Sequence, residues 1–256
     1  MEMSVRKGDL KQEKADLLVV GHFSDAKVVE GQLADIDAVM GGRLVRLMKE
    51  DGFKAKLAST FITHVNGEIP AKRVLVVGLG KKEEVDLEAV RQAAAVSVNV
   101  AKECGAKTIV SELHLHGEMK AAECAQVMVE GARLADYTFS KYKKSTQKSP
   151  NFFAIVTKDA RDVRSSEKGL MRGELAARGV VFARDLVNTP AHDMNPETLV
   201  DGARSIAKGK SSIRVRVFDR EALKRMGAGG ILGVAQGSDH PPYLVHMIYK
   251  PKKATK

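Results

Sequence analysis

The chain has 256 residues, of which 44% are hydrophobic and 29% charged, with two cysteines, no tryptophan and a formal net charge of +10. That length buries at least one full core and has room for one large or two small domains, and no apolar run approaches the ~18 residues of a membrane span. Cys104 and Cys124 supply neither a disulfide framework nor a zinc pattern, and both read as small buried hydrophobes.

The first seven residues, Met1 to Lys7, have no apolar core behind their charges and do not form a secretory signal. A reducing, cytoplasmic setting is the expectation, with no membrane partner. The basic excess is scattered, with local clusters at residues 141–144, 208–210 and 250–256, as on a solvated surface.

Taken in order, the first half alternates strands and helices, which predicts an α/β layer fold. Asp16-Leu17-Leu18-Val19-Val20-Gly21 and Lys72-Arg73-Val74-Leu75-Val76-Val77-Gly78 are short apolar runs ended by glycine. Thr108-Ile109-Val110 and residues 152–157 resemble them. Continuous β-branched runs, rather than alternation, predict strands covered on both faces. A helix over 35–51 is interrupted by Gly41-Gly42. From Asp86, residues Leu87, Val90, Ala94, Val98 and Ala101 form one helical stripe, with Asp86 as N-cap and Gly105 as stop. A second helix is predicted over 121–135, then a surface loop over 143–151.

Residues 165–187 form a long helical segment with Met171, Leu175, Gly179, Phe182 and Leu186 along one face, ended by Pro190. Asn195-Pro196 starts another helix. Residues 213–218 alternate as a strand, Asp219 caps a short helix that Gly227 closes, and residues 243–249 form a last strand. That strand is expected at a sheet edge, where unpaired backbone groups invite association.

Two constellations could carry chemistry. Val77-Gly78-Leu79-Gly80 lies between a strand and a helix, where glycines let backbone amides approach a phosphate. Glu83-Glu84 follow, however, and no Walker lysine stands at the required spacing, so a tight turn is the expectation. His114-Leu115-His116 places two imidazoles on one face of a strand; with no carboxylate at ligand spacing, a solvent-facing pair on a strand edge is expected. No nucleophile elbow occurs, because Gly237-Ser238 reads as a turn.

Two blocks carry a family resemblance. Glu130-Gly131-Ala132-Arg133-Leu134-Ala135-Asp136-Tyr137-Thr138-Phe139-Ser140-Lys141-Tyr142-Lys143 is similar to the E-G-x-x-L-x-x-Y-x-F-x-x-Y-K block of the leucyl aminopeptidases, also called cytosol aminopeptidases. Ala183-Arg184-Asp185-Leu186-Val187-Asn188-Thr189-Pro190, followed by Pro196, Gly227, Gly237-Ser238 and Pro241-Pro242, resembles the opening of their catalytic domain.

The resemblance implies an α/β fold with a macro-domain-like N-terminal domain over 1–160, a bridging helix over 161–187, and an incomplete start of the metallopeptidase catalytic domain over 188–256. It implies peptide substrates, a homo-hexamer, and two divalent metal ions, Mn or Zn, that polarise the scissile carbonyl and activate water. The family's ligands and catalytic groups lie in segments of the G-K-G, D-x-G-G and N-T-D-A-E-G-R type. None of these occurs here, and residues 250–256 resemble the linker before the first. No catalytic, cofactor-binding or metal-binding residue is therefore assigned, and the chain alone is expected to be inactive.

A different class stays open: a non-catalytic DNA- or nucleotide-binding module built on the macro-like domain. Lys141, Lys143, Lys144, Lys148, Lys208 and Lys210 would meet phosphates, and Gly78-Leu79-Gly80 would be the nucleotide cradle.

Overall fold

The structure is a computed structural model and describes residues 1–143 and 148–251. Its elements run β1 (Glu2–Lys7), β2 (Leu17–His22), α1 (Gly31–Val39), α2 (Arg43–Glu50), β3 (Thr60–His64), β4 (Arg73–Gly78), α3 (Leu87–Cys104), β5 (Thr108–Glu112), α4 (Ala121–Asp136), β6 (Phe152–Thr157) and α5 (Ala160–Asn188). Then follow α6 (Pro196–Ala207), β7 (Ile213–Phe218), α7 (Arg220–Arg225), α8 (Gly229–Val234) and β8 (Leu244–Tyr249). The chain divides into two compact units, Met1–Val181 and Phe182–Lys256.

The first unit is built on a six-stranded sheet of order β1-β6-β5-β2-β4-β3. Every pairing is parallel except that of β3 with β4. Because successive side chains on a strand point to opposite faces, the apolar run of β2 feeds two cores at once. Leu17 and Val19 pack with Leu75, Val77, Phe153 and Ile155 beneath α3 and α4. Leu18 and Val20 pack with Val74 and Val76 beneath α1 and α2. All four β2 side chains are fully buried, as continuous runs in parallel sheets require.

Carboxylate chemistry pins the amino ends of three strands. The Asp16 side chain accepts from the backbone N–H of Lys107 at 2.9 Å and of Thr108 at 3.1 Å, and meets Lys72 Nζ at 2.6 Å. The bond to Lys72 is the main reason the Asp16 carboxyl titrates below its ordinary value.

Asp86 caps α3, accepting from Ala89 N–H at 2.8 Å, and Gly105 closes it at φ 68°. The helix expected over 35–51 is instead two helices, α1 and α2. Gly41 and Gly42 both adopt left-handed φ, 63° and 76°, and two such residues in succession break a right-handed helix. Two strands, β1 and β3, were not expected from the sequence. Both lie at sheet edges, where only part of each strand is buried and the apolar signal is weak.

The apolar stripe read along α5 is not the face by which the first part of this helix is seated. Met171 and Leu175 are exposed, whereas Ser166, Gly169, Gly173 and Ala177 are buried. The seam is made of small residues because α5 seats directly on the backbone of α4. A Cβ on Gly169 would overlap the Ala122 carbonyl oxygen, and one on Gly173 would lie 2.5 Å from that of Gln126. The same device joins α4 to α3, where a Cβ on Gly131 would overlap the Arg91 carbonyl oxygen.

In the second unit Asn195 caps α6, accepting from Glu197 and Thr198 N–H at 3.1 Å, with Pro196 at the first helical position. β7 and β8 form an antiparallel pair, with α6 packed against both strands. Among the described residues β8 has no strand on its other side.

The glycine seams generate a paired test. Gly131→Ala forces α3 and α4 apart and is expected to cost about 1–3 kcal/mol, as overpacked cores do. Gly179, on the open side of α5 with nothing within 4 Å of a built Cβ, should give the opposite sign. Gly179→Ala is expected to stabilise by about 0.5–1 kcal/mol through helix propensity. Urea unfolding midpoints of the two variants check both.

Candidate functional site

A cleft of about 250 Å³ opens at the carboxyl ends of β2, β4 and β5. Topology puts it there. β2 runs on into α1 on one face of the sheet, while its neighbour β5 runs on into α4 on the other. Adjacent strands whose continuations leave to opposite faces part at their carboxyl ends, which is where open α/β sheets bind ligands.

The parting is visible bond by bond. The β2–β5 ladder ends at Val19 and Ser111. Beyond it, the N–H of Gly21 is accepted by the Glu112 carboxylate at 2.6 Å. Gly21 is closely approached: a Cβ would lie 2.6 Å from Leu79 Cδ1 and 3.1 Å from His114 Nδ1.

His114 is the most constrained group in the cleft. Its side chain is 1% exposed, and Nε2 lies 3.5 Å from Ser111 Oγ. The Ser111 hydroxyl donates its proton to the Glu112 carbonyl oxygen at 3.0 Å. Nδ1 is buried without a hydrogen-bond partner, 3.6 Å from Glu112 Oε1.

The rest of the lining is mixed. Phe23 and His116 stack at 4.9 Å between centroids, tilted by 57°. Leu79, Val85, Val90 and Leu113 form apolar wall. Glu30 precedes α1 without capping it through its side chain, and lies 3.6 Å from Lys82 Nζ. Burial holds the His22 imidazole below its ordinary pKa, with the Glu30 charge acting in the opposite direction.

The histidine pair is thus corrected. β5 ends at Glu112, so His114 and His116 sit in the loop beyond a central strand rather than on an edge, and His114 is buried. His22, Glu112 and Gly21 had no motif to mark them; only the glycine ending the β2 run hinted at the place. Gly78-Leu79-Gly80 is a turn of close approach: a Cβ on Gly78 would overlap the Lys56 carbonyl oxygen, and Gly80 has φ 76°. Ala55 and Ala58, in the loop it packs against, hold left-handed φ of 50° and 59°, a strain found at functional sites.

Cys124 is buried, and desolvation pushes its thiol to about 11, so it packs as an inert hydrophobe. Cys104 is only partly buried. The lysines considered for phosphate contact fall in different units, Lys141, Lys143 and Lys148 in the first and Lys208 and Lys210 in the second. Lys144 lies outside the described residues. Lys141 Nζ stands 5.3 Å from the Tyr142 ring centroid.

Comparison with known proteins assigns the family. The sequence profile described as the cytosol aminopeptidase family, N-terminal domain, matches residues 19–146, and that of the family's catalytic domain matches residues 181–256. The chain belongs to the cytosol aminopeptidase family. A probable cytosol aminopeptidase of Nostoc punctiforme is 34% identical, covering 99% of this chain and 51% of the relative. One of Sulfurihydrogenibium sp. is 32% identical, covering 99% and 50%. The chain spans about half the length of the curated relatives it matches.

Among solved structures, a tomato leucine aminopeptidase mutant superposes with a TM-score of 0.87 at 22% identity, covering 100% of this chain and 52% of that one. The bottromycin maturation enzyme BotP in complex with Mn superposes at 0.74 with 25% identity, covering 93% and 46%. The expected fold class stands: an α/β, macro-domain-like N-terminal domain followed by the beginning of an α/β catalytic domain. All the cleft residues lie within the segment that matches the cytosol aminopeptidase N-terminal domain.

His22 gives the cleft a pH signature. Its folded-state value lies below the ordinary 6.5, so between the two values the unfolded chain binds more protons. Stability is full above about pH 6.5 and falls as pH drops through that value towards the folded one. Between pH 7 and 5 the wild type is expected to lose more stability than His22→Gln, read from urea midpoints at each pH.

Proposed function

We propose that this chain is part of a leucyl-type metallo-aminopeptidase that releases N-terminal amino acids from peptides with two divalent metal ions, Mn or Zn. In this reading the enzyme is cytoplasmic and homo-hexameric. Residues 1–160 form its macro-like domain, 161–187 the bridging helix, and 188–256 the start of its catalytic domain. The observation that carries the reading is the match of both family profiles in order along one chain. The Mn in the BotP complex supports the choice of metal. Among the described residues no helix is long and apolar enough to cross a membrane.

The residues of this chain do not fit a two-metal centre. Among those described, no group of three or more His, Cys, Asp or Glu is placed to hold a metal ion. The sequence has no G-K-G, D-x-G-G or N-T-D-A-E-G-R segment. The 256 residues alone are therefore inactive in this reading. They contribute the α/β scaffold and the Asn188-Thr189-Pro190 corner, where Thr189 Oγ1 donates to the Asp185 carbonyl at 2.7 Å and ends α5.

Two assays test the proposal. The purified 256-residue chain, supplied with Mn or Zn and a leucine anilide, is expected to show no turnover above background; turnover would overturn the claim of inactivity. A hybrid that continues Lys256 into the second half of the Nostoc punctiforme relative is expected to hydrolyse the same substrate. A folded, metal-loaded hybrid that hydrolyses nothing would overturn the aminopeptidase reading itself.

A further inference from the structure

We infer that the open apolar surface of the second unit is a docking surface for the second half of a cytosol aminopeptidase catalytic domain, and that this half associates with it as a separate polypeptide. The choice of partner rests on the aminopeptidase reading; the need for a partner rests on the second unit alone. A segment as long as residues 182–256 has enough chain to bury a core. This one does not. Both core clusters consist of first-unit residues. Among the described residues of the second unit, Val200 and Leu223 are the only buried apolar side chains. Val187, Leu199, Met226, Val234, Met247 and Tyr249 are each at least 40% exposed. Apolar surface at this density marks an interaction site.

The small sheet shows the shape of what fits. Register sets Met247 opposite Val215 and Tyr249 opposite Ile213, so these four side chains share a face. Val215 lies beside Asp201, Arg204 and Lys208 of α6, which makes this the face that α6 packs on. Yet Met247 and Tyr249 stay exposed, so α6 covers β7 and leaves much of β8 open. The outer edge of β8 also offers main-chain donors and acceptors with no strand beside them among the described residues. An α/β layer closes both openings together, with a strand beside β8 and a helix next to α6 over Met247 and Tyr249.

The relatives say which polypeptide supplies them. The match to the catalytic-domain profile runs over residues 181–256. This chain accounts for 51% of the Nostoc punctiforme relative and 52% of the tomato chain on which it superposes. Each of those proteins carries about as much chain again. Apolar burial and strand pairing are non-covalent, and a peptide link between the halves only raises their effective concentration. A second copy of this chain fits less well, because it sets a net charge of +10 against its equal.

The test coexpresses the full 256-residue chain, affinity-tagged, with the second half of the Nostoc punctiforme relative as an untagged, separate polypeptide. The two are expected to copurify one to one. Hydrogen exchange at the β8 amides is expected to slow in the complex, with that at β2 unchanged. Val234→Asp and Met247→Asp change exposed side chains that the chain alone does not need. Each is expected to weaken association at least about tenfold. Val28→Asp, on the exposed surface of the first unit, is expected to leave association unchanged. Failure to copurify would overturn this proposal, and the covalent hybrid through Lys256 then decides separately on the aminopeptidase reading. A complex that forms but hydrolyses nothing when loaded with metal would support the docking surface and count against that reading. Equal association of all three variants, or self-pairing of the 256-residue chain in place of the second half, would each overturn the proposal.

Discussion

The architecture of the first unit depends on β2, and above all on the point where β2 loses its neighbour. Up to Val19 the strand is flanked by β4 and β5 and buried on both faces. A strand in that position has nowhere to leave a polar group unpaired. Past Val19 the β5 partner turns away, and the ladder would leave the Gly21 N–H open. Glu112 takes it. One side chain thus replaces a strand bond, and the space that the bond would have filled becomes the cleft. Asp16 does the corresponding work at the other end, accepting two β5-side amides.

This arrangement links the fold to the cleft it opens. A carboxylate that both closes the sheet and faces a buried imidazole is held by the scaffold, not by a mobile loop. Clefts supported in this way keep their geometry. The second unit has a different physical character. Its two-stranded sheet is covered by α6, and the first strand alternates partly buried and exposed residues.

What was legible in the sequence followed from periodicity and capping. The runs at 17–20 and 74–77, the Asp86 cap with its Gly105 stop, and Asn195-Pro196 each state a local rule strongly enough that tertiary context does not override it. Edge strands β1 and β3 state none, because half their residues face water. The α5 seam left no apolar signal for a physical reason. Hydrophobic periodicity assumes that large residues are the ones buried, whereas a helix seated on another helix's backbone buries glycine and alanine and turns Met171 and Leu175 outwards. The cleft was hidden for another reason: Gly21, Glu112 and His114 are brought together by a crossover of some ninety residues, and no local spacing records that. The family resemblance was legible because its main blocks, residues 130–143 and 183–190, are continuous runs that need no fold to bring them together.

The glycine-seated layer of α3, α4 and α5 has one more consequence. Contacts between main chains are blind to the identity of most side chains; they ask only that a few positions stay small. A fold held in this way tolerates drift at many sites while its backbone path stays fixed. That is a physical route by which this chain and the tomato enzyme, sharing 22% of their residues, keep a TM-score of 0.87.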